Sequence, residues 1–220
     1  MQESLVIFDC DGVLVDSERI SADVMRIMSA DIGLTFSTDE SLALIRGRKV
    51  AEWVSEIETM AGRSLAEDFI QEFRRRTEDS FTVGLRPIPY VADVVEELTG
   101  PFCTASSAPL EKIRLTLGLT GLLPYFEGRI FSAYEVGSWK PDPGLFLHAA
   151  GEMGRSPASC VVVEDSVVGV RAAVAAGMPV MGYAPEHSGM AAALASAGAV
   201  TFSSMRELPR LLAQPVPAPR

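Results

Sequence analysis

The sequence predicts an α/β fold in which a parallel sheet is covered on both faces by helices and is interrupted after its first strand by an all-helical insertion. Three observations predict it. Short runs rich in Val, Ile and Phe, at 5–8, 102–105, 129–131, 160–163 and 179–182, alternate with segments of helical spacing, the pattern of βαβ units. These runs are nearly continuous in apolar residues, as strands buried on both faces are. Residues 17–80 lack such runs and show helical spacing, charged faces and breaks at Gly33, Gly47 and Gly62.

Taken in order, the first strand is 5–8, and helices are expected at about 92–98, 110–117, 143–153 and 168–176, the last closing on Gly177 as a C-cap. The core is therefore discontinuous, 1–16 plus 85–212, and the helical unit is 17–84, with Gly84, Pro87 and Pro89 in the returning linker. The tail 213–220, Pro-rich and with little to bury, is expected to be disordered.

With 220 residues and 48% hydrophobic content, the chain can bury a core and a smaller accessory unit. Lys plus Arg number 19 against 29 Asp plus Glu, a formal charge of −10. That balance argues against nucleic acid or an anionic membrane as partner. Cys10, Cys103 and Cys160 are odd in number and outside any CxxC spacing. Reduced thiols and a cytoplasmic location are the expectation. The run at 5–8 is too short for a signal peptide or a membrane span. No long exposed apolar stripe is evident, which predicts a monomer.

The chemistry is concentrated at strand ends, where open parallel sheets bind ligands. Asp9 follows the first strand directly, and a period of two places Asp11 on the same side, with Gly12 permitting a tight turn. Taken alone, Asp11-Gly12 can also be read as a plain hairpin turn with Asp9 on the surface, the lesser of the two readings. An EF-hand loop fits less well still, since the third aspartate and terminal glutamate are missing.

A second run, Val161-Val162-Val163, ends in Glu164-Asp165. If both ends share a cleft, unshielded carboxylate pairs at about 4 Å cost roughly 4 kcal/mol each at an effective dielectric of 20, which calls for a divalent cation such as Mg²⁺. By themselves Glu164 and Asp165 are also compatible with capping the next helix. Ser106 and Ser107 follow a third strand, where hydroxyl and amide donors suit a phosphoryl oxygen or merely an N-cap. Lys140, in Ser138-Trp139-Lys140-Pro141-Asp142-Pro143, can neutralise phosphate charge or lie in solvent.

This ordered set, Asp9 to Ser17 on the pattern DxDGxLxDS, then Ser106, Lys140 and Glu164–Asp165, resembles the haloacid dehalogenase-like hydrolase superfamily over nearly the whole chain. The resemblance implies a Rossmann-like three-layer core with a small helical cap after the first strand, as in the subgroup of β-phosphoglucomutase and sugar-phosphate phosphatases. Asp9-Cys10-Asp11-Gly12 and Val15-Asp16-Ser17-Glu18 look most like the 6-phosphogluconate phosphatase type. It implies that Asp9 is the nucleophile and Asp11 the acid and base, with Ser106, Ser107 and Lys140 holding phosphate. Mg²⁺ would be held by Asp9, the Asp11 carbonyl and Asp165, with Glu164 acting through water or from behind. The substrate would be a small phosphorylated metabolite.

Asp11 argues against dehalogenation, because a halide leaves without a proton. Ser21 stands where the mutase carries a histidine, which disfavours a mutase without removing it. A binding module that has lost its chemistry is the third alternative, and retention of an acid–base carboxylate speaks against it. In the cap, Arg46-Gly47-Arg48-Lys49 is a basic turn suited to an anionic substrate end, or else a solvated turn. Arg74, Arg75 and Arg76 fan out around a helix and read as solvated. His148 and His187 have no partner in the pattern and read as structural or surface residues.

Overall fold

The structure, a computed structural model, describes residues 4–46, 48 and 50–214. It divides into two compact units, Met1–Val15 with Pro87–Arg220, and Asp16–Arg86.

The larger unit is a six-stranded parallel sheet with helices on both faces. Its strands are β1 (Leu5–Phe8), β2 (Phe102–Ser106), β3 (Ile130–Ser132), β4 (Cys160–Glu164), β5 (Val180–Tyr183) and β6 (Val200–Phe202). Four helices of the smaller unit intervene after β1: α1 (Glu18–Asp31), α2 (Thr38–Ile45), α3 (Val50–Ala61) and α4 (Phe69–Gly84). The larger unit continues with α5 (Val91–Glu97), α6 (Leu110–Leu119), α7 (Leu123–Phe126), α8 (Ala133–Val136), α9 (Gly144–Glu152), α10 (Val167–Ala175), α11 (Ala191–Ala197) and α12 (Leu208–Leu212).

The strand order is β3-β2-β1-β4-β5-β6. Chain order runs outward in both directions from the junction of β1 and β4, so connections leave these neighbours toward opposite sides. A crevice opens there at the carboxyl ends of the strands. Phe8 is level with Thr104 on one side and Val163 on the other. Continued by one residue, that register sets Asp9 beside Glu164.

β1, β2 and β4 are buried throughout. One face packs Leu5, Ile7, Cys103, Ala105, Cys160 and Val162 against α9 and α10 through Phe146, Ala149, Val170 and Ala173. On the other face Phe8, Phe102 and Phe126 meet edge to face, with centroids 5.3–6.4 Å apart. Such aromatic pairs add about 0.5–1.5 kcal/mol each beyond the area they bury. No described helix is long and apolar enough to cross a membrane.

The smaller unit has its own core, in which Val24, Met25 and Met28 of α1 pack with Leu44, Trp53, Ile57 and Phe69. Gly33 and Gly62 take φ of +87° and +65° just after α1 and α3, so the sequence breaks there are true helix ends. Helix α2 opens with a reciprocal capping box between Ser37 and Glu40. The division falls one residue before the expected start and two after the expected end of the insertion. The reason is local: Asp16 N–H donates to the Arg86 carbonyl at 2.9 Å, and Leu85 N–H to that of Phe81 at 3.1 Å, closing α4. Residues 213 and 214 continue the last helical turn, with Ala213 and Gln214 N–H each 3.2 Å from carbonyls of α12. The rest of the expected tail, 215–220, lies outside the described residues.

Candidate active site

β1 delivers Asp9 into the crevice while the sheet still holds its backbone, through Asp9 N–H to the Val163 carbonyl at 2.9 Å. Beyond it the chain coils tightly. Leu14 and Val15 N–H both donate to the Cys10 carbonyl at 2.9 and 3.1 Å, and Gly12 N–H donates to the Val15 carbonyl at 2.9 Å. This is a loop at a strand end, not a hairpin, since β1 pairs in parallel with both neighbours.

Gly12 is required twice over. Its φ is +82°, and a Cβ there would lie 2.7 Å from Cγ of Asp165. The Asp165 carboxylate thus rests against bare backbone, close enough to share a site with Asp9.

Lys140 binds the two acidic ends together. Its Nζ donates to Oδ1 of Asp9 at 2.5 Å and to Oε1 of Glu164 at 2.6 Å, and all three side chains are buried. The loop that presents it is braced by Asp142, whose Oδ1 accepts from Ser138 Oγ at 2.7 Å and Gly144 N–H at 2.8 Å. Phe146 places its ring centroid 5.0 Å from the ammonium.

The other oxygen of Glu164 accepts from Asp165 N–H, Ser166 N–H and Ser166 Oγ, at 2.9–3.0 Å. Ser166 then caps α10, accepting from Gly169 N–H at 3.1 Å. A Cβ on Gly169 would overlap the Glu164 carboxylate, so glycine is what lets that acid fold back over the helix start.

Burial pushes the Asp9 carboxyl up to about 7; Lys140 opposes this and the charges of Glu164 and Asp11 reinforce it. Burial alone would lower the Lys140 ammonium, but Asp9 and Glu164 outweigh it and raise it above its ordinary value.

Ligand oxygens of Asp9, Glu164 and Asp165 lie within 4.8 Å of one another. Hard oxygen donors suit Mg²⁺, which is usually held by one or two carboxylates plus water and substrate phosphate. Glu164 accepts from protein donors at both oxygens, Oε1 from Lys140 and Oε2 from the Asp165 and Ser166 amides, and so is the most heavily engaged of the three. The residues fit such an ion.

Ser106 is buried at the end of β2, where its Oγ accepts from Ala108 N–H at 3.1 Å and keeps its own proton for a further acceptor. Ser107 is exposed beside it. Asp11 is the surprise. Both of its oxygens are held, each 2.9 Å from Nζ of Lys112 on α6, a residue that reading by motif passes over. A lysine in a helix's first turn was the available signal, since it opposes the helix dipole.

Within the smaller unit, Arg46 binds Glu18 through Nε at 2.8 Å and Nη2 at 2.7 Å. Arg48 binds Glu56 at 2.6 Å and the Leu44 carbonyl at 3.2 Å. Gly47 and Lys49, the rest of the basic turn, lie outside the described residues. Ser21 donates to the Ser17 carbonyl at 3.0 Å, an ordinary bond within a helix. Arg75 and Arg76 pair with Glu72 on their own helix, and His148 and His187 are exposed.

The description haloacid dehalogenase-like hydrolase matches residues 4–177 as a family. The chain belongs to the haloacid dehalogenase-like hydrolases. It is 31% identical over 207 residues to 6-phosphogluconate phosphatase of Escherichia coli, covering 94% of this chain and 93% of that one. A haloacid dehalogenase-like protein of Agrobacterium tumefaciens superposes with a TM-score of 0.86 at 35% identity, covering 96% and 98% of the two chains. A hydrolase of the family from Deinococcus radiodurans, solved with phosphate and sodium bound, gives 0.81 at 32% identity over 96% and 95%. In this haloacid dehalogenase-like chain, Asp9 and the Glu164–Asp165 pair, at two strand ends, meet Lys140 from the loop between α8 and α9.

Proposed function

We propose that this enzyme is a Mg²⁺-dependent phosphatase that hydrolyses a small phosphate monoester of a sugar or sugar acid. The observation that carries the reading is the buried Asp9 carboxylate, fixed by Lys140 at the switch point of the sheet and adjoined by Glu164 and Asp165. The likeness over nearly the full chain to 6-phosphogluconate phosphatase supports the substrate class.

Lys140 anchors Asp9 through Oδ1, and Oδ2 is the oxygen assigned to attack. In the first step Oδ2 forms a bond to phosphorus while the bond to the ester oxygen breaks, and Asp11 gives its proton to the departing alkoxide. In the second, Asp11 takes a proton from water as the water oxygen bonds to phosphorus. The Asp9–phosphorus bond breaks, releasing inorganic phosphate. Ser106, Ser107 and Lys140 hold the phosphoryl oxygens in line. Asp9, Asp165 and the Asp11 carbonyl would hold Mg²⁺, with Glu164 in support, and the bound ion would supply charge neutralisation to the transferring group. The basic turn Arg46, Gly47, Arg48 and Lys49 is assigned to the anionic far end of the substrate, for which Arg46 would exchange its bond to Glu18.

The test is phosphate release from a panel of sugar and sugar-acid phosphates with and without EDTA. Metal-dependent release that Asp9→Asn abolishes is the expected result. An isomerised ester without free phosphate would mark a mutase, and neither product would mark a binding module.

A further inference from the structure

Lys112 has no part in the chemistry assigned so far, yet its position is costly by itself. It is the third residue of α6, where a cation faces the positive end of the helix dipole, an unfavourable place for it. Its ammonium reaches back across 101 positions of sequence to both oxygens of Asp11, at 2.9 Å each, and the two side chains remain only 28% and 25% exposed. One turn later on the same face, Thr116 stands 3.8 Å from Sγ of Cys10. Helix α6 therefore grips the loop after β1 at two successive residues. The Asp11 backbone is already set by the tight loop closed between Cys10 and Val15. What remains free in Asp11 is rotation about its side-chain bonds, and an ammonium within reach of both oxygens restrains it; when Asp11 carries the proton it is to give, one oxygen still accepts from Lys112 while the other presents the proton.

We propose that Lys112 is a positioning residue that aims the Asp11 carboxyl at the leaving oxygen, so that removing it impairs proton delivery to the alkoxide more than any other part of the reaction. The proposal rests on the phosphatase reading, in which Asp11 is the general acid. An acid with the wrong rotamer is absent from the transition state for that fraction of encounters, and proton transfer from a positioned group typically contributes about 10²–10⁴-fold.

The experiment compares Lys112→Met, Lys112→Arg, Asp11→Asn and the unaltered Mg²⁺-loaded enzyme on p-nitrophenyl, phenyl and benzyl phosphate. These esters are close in size and differ in how much their leaving oxygen needs a proton. kcat/KM is the readout, because it reports steps only through departure of that oxygen. The expected result for Lys112→Met is a loss on benzyl phosphate at least about tenfold greater than on p-nitrophenyl phosphate, with phenyl phosphate between and most of the loss regained in Lys112→Arg. A uniform loss across the three esters, the result of a binding or purely structural role, overturns the proposal. So does no loss at all. If Asp11→Asn itself shows no such dependence on the leaving group, the acid assignment falls and the Lys112 proposal with it, whereas a steep Asp11→Asn series beside a flat Lys112→Met series removes Lys112 alone.

Discussion

Replacing Lys140 by methionine tests the charge balance at the heart of the site without opening a cavity. The side chains are of similar length, and the methionine sulfur can settle against the Phe146 ring that now lies 5.0 Å from Nζ. Lys140, Asp9 and Glu164 expose 5%, 10% and 1% of their side chains, so water does little to screen the change. Removing one member of a buried, hydrogen-bonded ion pair typically costs about 3–5 kcal/mol, because the partner stays buried and unpaired. Here two partners are stranded. At about 2–4 °C per kcal/mol for a chain of this size, the expected fall in Tm is about 6–20 °C in EDTA at pH 7.5. The loss must also grow with pH. Asp9 has a folded pKa raised from 3.8 to about 7, so the folded chain already holds a proton that the unfolded chain has lost between those values, and stability falls as pH rises through that window. Without Lys140 the folded value rises further and the decline continues above pH 7, by up to about 1.4 kcal/mol per pH unit. Calorimetry from pH 6 to 8 reads both effects, and Mg²⁺ should restore part of the loss by shielding the same carboxylates. A Tm shift below about 3 °C in EDTA, equal at pH 6 and 8, would refute the balance argued here.

Gly12→Ala should weaken Mg²⁺ binding by about 10–100-fold, the range seen when groups behind a metal ligand are disturbed, because its Cβ would lie 2.7 Å from Cγ of Asp165 and its φ of +82° is strained for alanine; unchanged affinity by titration calorimetry would remove Asp165 as a ligand. Mg²⁺ uptake below pH 7 should release up to one proton from Asp9 and weaken by up to about tenfold per pH unit, which calorimetry in buffers of different ionisation enthalpy will detect; a pH-independent Kd between pH 5 and 7 contradicts the raised carboxyl. All three cysteines are buried, and burial raises each thiol, Cys160 to about 11. A disulfide reagent at pH 8 should therefore leave them unmodified until denaturant is added, and rapid reaction of any one in the folded protein would contradict that burial.

What was legible in the sequence was what burial on both sides writes into it. β1, β2 and β4 announce themselves because every residue in them is apolar or packed, leaving a run that no solvent face interrupts. β6 left no such mark. Val200–Phe202 is a three-residue edge strand, with Val200 exposed and Thr201 half-buried, in an Ala- and Gly-rich stretch. The acids Asp9, Glu164 and Asp165 were legible because they end buried runs. Their meeting was not, since it follows from the register of β1 against β4. Lys112 lay further out of reach still. A lysine in the first turn of a helix ordinarily reads as surface, and its partner is supplied by a loop 101 residues earlier that only the adjacency of β1 and β2 brings near.

The neighbours Glu164 and Asp165 show how local geometry can divide one dipeptide between two tasks. Both are carboxylates, both are buried, and composition gives no reason to tell them apart. The strand ends at Glu164 and the capping residue of α10 is Ser166, so the chain turns between them. The turn bends Glu164 back onto the amides of residues 165 and 166, which, with Ser166 Oγ and Lys140 Nζ, give it four donors. Three of those donors crowd one oxygen and Lys140 occupies the other, so Glu164 has less room for a metal bond than a carboxylate without such partners. It is well suited instead to holding Lys140, and through it Asp9, in place. Asp165 lies over Gly12, with an oxygen within 4.8 Å of one on Asp9. Exchanging the two residues would preserve charge and composition and yet put the longer side chain against Gly12 and the shorter one where it must span to Lys140. The order Glu-Asp, rather than acidity alone, is therefore what the site requires.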